Sequence, residues 1–142
     1  MDMSAEQIVA DWIAYGRYAT HADAPEQVQA DGMSMLELPE DDPELTWDVI
    51  RRVISQYSEN DLFAVEKTEA QRVVGRVAAG PLEDLLGYHG GSFIDRVEAE
   101  ARSDRRMAWA LGGVWQLMMP DDLWGRVESI ADRSYWVRAS EG

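Results

Sequence analysis

The sequence predicts an all-α fold, and three observations support that prediction. Apolar residues recur at intervals of three and four positions along most of the chain, as on the buried face of a helix. Ser, Thr and Asp residues stand directly before these stretches, where helix N-caps are found. Residues 72–77 are rich in valine and could form a strand, but the chain offers no second strand to pair with them. The 142 residues suffice for one domain with a substantial core.

The first helix is predicted over residues 5–19. Ser4 and Gln7 have the spacing of a capping box, in which each side chain bonds the backbone N–H of the other residue. The apolar stripe that follows consists of Ile8, Trp12, Tyr15 and Ala19.

Residues 20–42 interrupt the helical pattern. Pro25, Gly32 and Pro39 punctuate the segment, and acidic residues crowd its end. This composition predicts a long connection that holds at most one short helix, placed after Pro25. A connection of this length is unusual inside a compact domain and is typical of a functional or mobile segment.

Three N-cap signals organise the next part of the chain. Asp42 and Pro43 fit the N-cap and first position of a second helix. Its wide apolar stripe consists of Leu45, Val49, Ile50, Val53, Ile54 and Tyr57. Ser58 is predicted to cap a short helix, and Thr68 with Gln71 repeats the capping-box spacing before a helix through residue 78.

Glycine and proline set the predicted boundaries that follow. Gly80–Pro81 is predicted to end one helix and start the next, because proline suits the first helical position. Gly90–Gly91 would close this two-turn helix, and Ser92 would cap the following one. Ser103–Asp104 restarts the chain. The predicted stripe of the next helix is Met107, Leu111, Val114, Trp115 and Met118.

A last helix is predicted after Pro120, and residues 133–142 form a tail that packs loosely through Tyr135 and Trp136. The chain is thus one domain of seven or eight helices, with an acidic and less regular part at 1–42 and a helical core at 43–132. Short connections favour antiparallel neighbours. An irregular bundle and a short HEAT-like stack of αα-hairpins both fit, because no repeat period distinguishes them.

The charge is strongly negative and unevenly distributed. The formal net charge is -14, and residues 1–46 hold eleven acidic residues against one base, Arg17. Such a field repels nucleic acid and anionic membranes, and it attracts a basic protein surface. Solubility alone is the simpler explanation of the acidity.

Catalytic and metal-binding patterns are weak. The stretch LGYHGGSFI at residues 86–94 is similar to the oxyanion loop of lipases and esterases, but the chain has no G-x-S-x-G segment to supply a nucleophile. The chain has no cysteine, and neither His21 nor His89 has a second histidine at ligand spacing. We therefore predict no metal site and no cofactor. The start of the sequence, MDMSAEQIVA, is unlike a signal peptide, and the cytoplasm is the expected compartment.

The candidate binding residues follow from charge and from tryptophan placement. Two tryptophans lie off the apolar stripes of their helices, and tryptophan is enriched at protein interfaces, although tight packing is the alternative. The predicted partner-binding residues are Glu40, Asp41, Asp42, Glu44, Trp47 and Trp109. An alternative ligand site comprises Glu83, Asp84 and His89.

Three segments carry a family resemblance. Residues 78–86 read AAGPLEDLL, residues 93–98 read FIDRVE, and residues 110–115 read ALGGVW. Together they resemble a bacterial family of small proteins of unknown function, over roughly residues 43–118. The resemblance implies a cytoplasmic helical domain and assigns no reaction.

The leading functional hypothesis is a non-enzymatic protein-interaction module that binds a basic partner, as an immunity or inhibitor protein would. The second hypothesis is a small-molecule or metal-binding helical domain, or an enzyme, with its site around Glu83, Asp84 and His89.

Overall fold

The computed structural model describes residues 4–136, and its regular structure is entirely helical, as predicted. A 3-10 turn lies at His21–Asp23, a π-helical turn lies at Ala78–Leu82, and residues 134–136 form a last helical turn. The α-helices are α1 (Ala5–Gly16), α2 (Glu26–Asp31), α3 (Ser34–Asp41), α4 (Pro43–Ser55), α5 (Glu59–Leu62), α6 (Glu69–Val77), α7 (Glu83–Ser103), α8 (Arg105–Leu111) and α9 (Asp121–Ile130).

The predicted N-caps account for most helix starts. The Asp42 carboxylate accepts a hydrogen bond from the backbone N–H of Leu45 (3.2 Å), which caps α4. Thr68 and Gln71 form the complete capping box of α6, with bonds of 3.2 and 3.1 Å. At α1 the Ser4 hydroxyl oxygen accepts from the backbone N–H of Gln7 (3.2 Å), while the Gln7 amide donates to Asp11 (2.9 Å). A cap of this kind contributes about 1 kcal/mol to helix stability.

The prediction of a long connection at residues 20–42 is wrong. The segment is mostly helical, because α2 and α3 follow the 3-10 turn in close succession. Met35 and Pro39, four residues apart on α3, are both buried. α3 packs against α7 and the π turn. This burial stabilises a helix that its low intrinsic propensity would not predict, because tertiary packing supplies most of the stability of short helices.

The predicted break at Gly80–Pro81 is also wrong, since the chain passes from α6 to α7 without leaving the helix. Proline has no backbone N–H, and its ring clashes with the preceding turn of an α-helix. The π-helical turn at Ala78–Leu82 is wider than an α-helical turn and accommodates the proline.

The helix does not end at Gly90–Gly91 as predicted, and Ser92 does not begin a new helix. The chain has only a kink at this point within α7. His89 alone leaves helical geometry, with φ -133° and ψ 22°, and the helix then continues to Ser103. A Cβ atom on Gly90 would overlap the side chain of Leu123 on α9, so the leucine would have to shift.

The helix carrying Met107 is shorter than predicted. α8 ends at Leu111, and Gly112 and Gly113 bring the backbone against the indole of Trp136. Trp136 Nε1 donates to the carbonyl oxygen of Trp109 (2.9 Å). The predicted loose tail therefore packs firmly as far as residue 136, and residues 137–142 lie outside the described part of the chain.

The helices form an irregular bundle around one apolar core, which extends from Ile8 in α1 to Val127 in α9. α1 packs against both α4 and α6, and α3 packs against α7. Contacts between elements so far apart in sequence are unlike a solenoid, in which each repeat contacts only its neighbours. Among residues 4–136, no helix has both the length and the apolar character needed to cross a bilayer.

Candidate functional site

The four predicted acidic residues are all exposed, but two of them have structural roles. Asp42 caps α4. Glu44 accepts two hydrogen bonds from the guanidinium of Arg96 on α7, at 2.8 and 2.9 Å, which lowers the pKa of the Glu44 carboxyl. Glu40 and Asp41 have no ion-pair partner among residues 4–136. Glu37, which sequence reasoning missed, is exposed one turn before them on α3 and is likewise without one.

Both tryptophans predicted to bind a partner are buried. Trp47 is 5% exposed and Trp109 is 0% exposed, so neither side chain is available at the surface. Trp109 lies off the apolar stripe of its helix and is still buried, because α8 is surrounded by other elements. Trp109 packs against the rings of Tyr135 and Trp136, at centroid distances of 5.1 and 4.9 Å, and those two rings also contact each other.

The three residues of the alternative ligand site are not brought together. The carboxylate of Glu83 accepts a hydrogen bond from the backbone N–H of Trp115 (2.7 Å), in the loop after α8. His89 Nε2 instead donates to the carbonyl oxygen of Glu40 (3.0 Å), at the end of α3. Burial raises the pKa of both Glu83 and Asp84. Within residues 4–136, no group of three potential metal-binding side chains is found.

The bond between Glu83 and Trp115 fixes a loop that exposes several apolar side chains. We define the apolar patch as Tyr88, Trp115, Leu117 and Met118, all of which are exposed. Met118 lies against α7, where a Cβ atom on Gly87 would be 3.0 Å from Met118 Cε. Leu117 has φ 39°, in the left-handed region that costs an L-residue about 1–2 kcal/mol. Strained backbone of this kind is concentrated at binding and active sites.

The apolar patch and the acidic end of α3 both flank residues 87–89 of α7. Gly87 faces the loop of Trp115, and His89 faces Glu40. Tyr88 lies between these two neighbours on α7, and its ring is exposed. We call the combined surface the acidic–apolar face, which comprises Glu37, Glu40, Asp41, Tyr88, Trp115, Leu117 and Met118.

The sequence model of one protein family, described as a family of unknown function (DUF6869), matches residues 19–135. The chain belongs to DUF6869. The family match includes every residue of the acidic–apolar face, and it extends the resemblance seen at residues 43–118 in both directions. Neither a curated protein nor a solved structure matches the chain.

In this DUF6869 chain, the pH dependence of stability can test the environment of Glu83. Its pKa is raised above the ordinary value of 4.5, so the folded state binds this proton more tightly than the unfolded state does. The stabilising effect is present below pH 4.5 and is lost as the pH rises through the raised pKa. Glu83→Gln keeps an oxygen that can accept from Trp115. The wild type loses stability from this group as the pH rises, and the glutamine variant does not. We therefore expect the unfolding free energy of Glu83→Gln, relative to that of the wild type, to increase between pH 4.5 and 7.

Urea unfolding at the two pH values measures this difference. Glu128→Gln, at an exposed position of α9, is the matched control and should show no such change. An equal pH dependence in both variants would contradict the burial of the Glu83 carboxylate.

Proposed function

We propose that the chain is a non-enzymatic protein-interaction module that binds a basic partner through the acidic–apolar face. A cytoplasmic immunity or inhibitor protein is the class that this proposal favours. The observation that carries it is the meeting of two features on one surface. Acidic side chains without ion partners in the described chain stand on α3, which contacts α7 at His89. The exposed apolar side chains stand on α7 at Tyr88 and on the loop that lies against Gly87.

The two halves of the face would make different contributions to binding. Contiguous apolar surface that is rimmed by polar groups is characteristic of interaction sites, and aromatic residues dominate binding energy there. Acidic residues at the rim accelerate the encounter with a positively charged partner and contribute less to final affinity. A basic, amphipathic segment of a partner protein matches both halves.

Arginines on the adjacent helices do not neutralise this face. Arg96 of α7 is paired with Glu44, and Arg126 of α9 is paired with Asp95 and Glu98. The acidic side chains of α3 are therefore left to interact with a partner.

Charge-neutral variants of α3 test the electrostatic part of the proposal. The probe is a synthetic amphipathic helix with lysine on one face and leucine and tryptophan on the other. We expect Glu37→Gln/Glu40→Gln to lower its association rate constant roughly fivefold at low ionic strength, because steering depends on local charge. Stopped-flow fluorescence measures the rate.

The matched control is Glu66→Gln/Glu128→Gln, which removes the same charge from two exposed glutamates outside the face. A second peptide with glutamate in place of lysine should not bind. If both double variants slow association equally, net charge alone attracts the peptide and the acidic end of α3 is not the binding surface.

A further inference from the structure

A separate groove opens between α1, α3 and the π-helical turn. Its volume is about 360 Å³, within the range of about 300–1,000 Å³ typical of small-molecule sites. Met33, Met35 and Leu36 form one wall, and Ala79, Gly80 and Pro81 of the π turn form the other. Leu36 is 65% exposed, so this apolar wall is open to solvent.

One part of the groove is polar and holds the positively charged side chain of Arg76. The hydroxyl of Tyr15 is hydrogen-bonded to His21 Nδ1 (2.6 Å). The guanidinium of Arg76 lies over the ring of Tyr15, with its Cζ 4.8 Å from the ring centroid. Arg76 Nη2 also donates to the carbonyl oxygens of Tyr18 (3.1 Å) and Ala19 (2.9 Å), which fixes its position.

Arg76 has no carboxylate partner in the described part of the chain. The chain has a net charge of -14, and most of its other arginines with described surroundings are ion-paired. Within residues 4–136, no Asp or Glu oxygen lies within ion-pair distance of Arg76. An uncompensated guanidinium at an apolar groove is suited to a carboxylate, which it can bind through charge-assisted hydrogen bonds.

The π turn contributes the shape of the groove. π-helical turns inside α-helices occur frequently at functional sites. No atom lies within 4 Å of the position that a Cβ atom would take on Gly80. The backbone of the π turn therefore borders open space at this point.

We infer that this groove binds a small amphipathic carboxylate, such as a medium-chain fatty acid. The carboxylate bonds Arg76 beside the Tyr15–His21 pair, and the apolar chain lies between Leu36 and Pro81. None of the residues of this site belongs to the acidic–apolar face. The proposed carboxylate site can therefore be tested independently of the proposed protein partner.

The experiment compares three ligands with the same ten-carbon chain, namely decanoate, decan-1-ol and decylammonium, by isothermal titration calorimetry. We expect decanoate to bind most tightly, although the net charge of the protein favours the cation. Arg76→Gln should weaken decanoate binding roughly tenfold or more and leave decan-1-ol nearly unchanged, because only the carboxylate loses its charged partner.

Gly80→Leu provides an independent test, because it fills the groove without removing any side chain. We expect it to weaken binding of decanoate at least tenfold. Gly125→Leu on α9 is the matched control, since a Cβ atom there also meets no atom within 4 Å. Its affinity for decanoate should equal that of the wild type.

Three results would overturn the inference. They are the absence of decanoate binding, tighter binding of decylammonium than of decanoate, and equal loss of affinity in the two glycine variants. If Gly80→Leu abolishes binding of the lysine-rich peptide while decanoate fails to bind, the groove accepts a protein segment and the inference is wrong.

Discussion

Replacing Trp109 by alanine is expected to lower the free energy of unfolding by about 3–5 kcal/mol. Its side chain is fully buried, and two aromatic rings lie against it. Truncation leaves a cavity beneath Tyr135 and Trp136, whose aromatic contacts with residue 109 are lost. The hydrogen bond from the indole N–H of Trp136 to the carbonyl oxygen of residue 109 is also weakened, because the Trp136 ring loses the side chain against which it packs.

Urea denaturation followed by circular dichroism measures this loss. Trp109→Phe is the control, because it keeps an aromatic ring in place. It also removes an indole N–H that is buried without a hydrogen-bond partner in the described chain, an arrangement that itself costs about 1–3 kcal/mol. The phenylalanine variant should therefore lose much less stability than the alanine variant. Equal losses in the two variants would show that the cavity is not the cause.

Replacing Trp115 by alanine is expected to weaken peptide binding while leaving the stability of the fold nearly unchanged. Its side chain is 67% exposed, so the free energy of unfolding should change by no more than about 0.5 kcal/mol. Binding of the lysine-rich amphipathic peptide should weaken by about 2 kcal/mol or more, roughly thirtyfold, because an exposed tryptophan in an apolar patch has the character of a binding hot spot.

Calorimetric titration of the peptide measures the affinity, and Val65→Ala is the control. Val65 is a highly exposed apolar residue outside the acidic–apolar face. Its truncation should leave both stability and affinity unchanged. If Trp115→Ala binds the peptide as tightly as the wild type, the apolar patch is not part of the interface.

These two tryptophans also show where sequence reasoning succeeds and fails. Helical periodicity and caps predict α4 and α6, and periodicity after Pro120 predicts α9, because each helix has a well-defined apolar face. Periodicity alone also extends the helix of Met107 as far as Met118, whereas α8 ends at Leu111. It does not reveal that the indole of Trp136 fills the space beside Gly112 and Gly113. That contact depends on a residue more than twenty positions away.

The same limitation applies to the acidic–apolar face. Charge counting finds the acidic cluster, and the capping pattern identifies Asp42 as an N-cap, but neither can tell that Glu44 bonds Arg96 on another helix. Glu37 was missed because its exposure depends on how α3 packs. The Gly112–Gly113 pair was the available signal for the apolar patch. A helix that ends there leaves the following tryptophan, leucine and methionine in a loop.

The packing of Trp136 has a consequence for synthesis of the protein. A nascent chain leaves the ribosome from its N-terminus, so α8 emerges well before the residue that covers it. Trp109 is then without the ring of Trp136 until residue 136 has also left the exit tunnel. Completion of the native core around α8 consequently waits until translation has passed this residue.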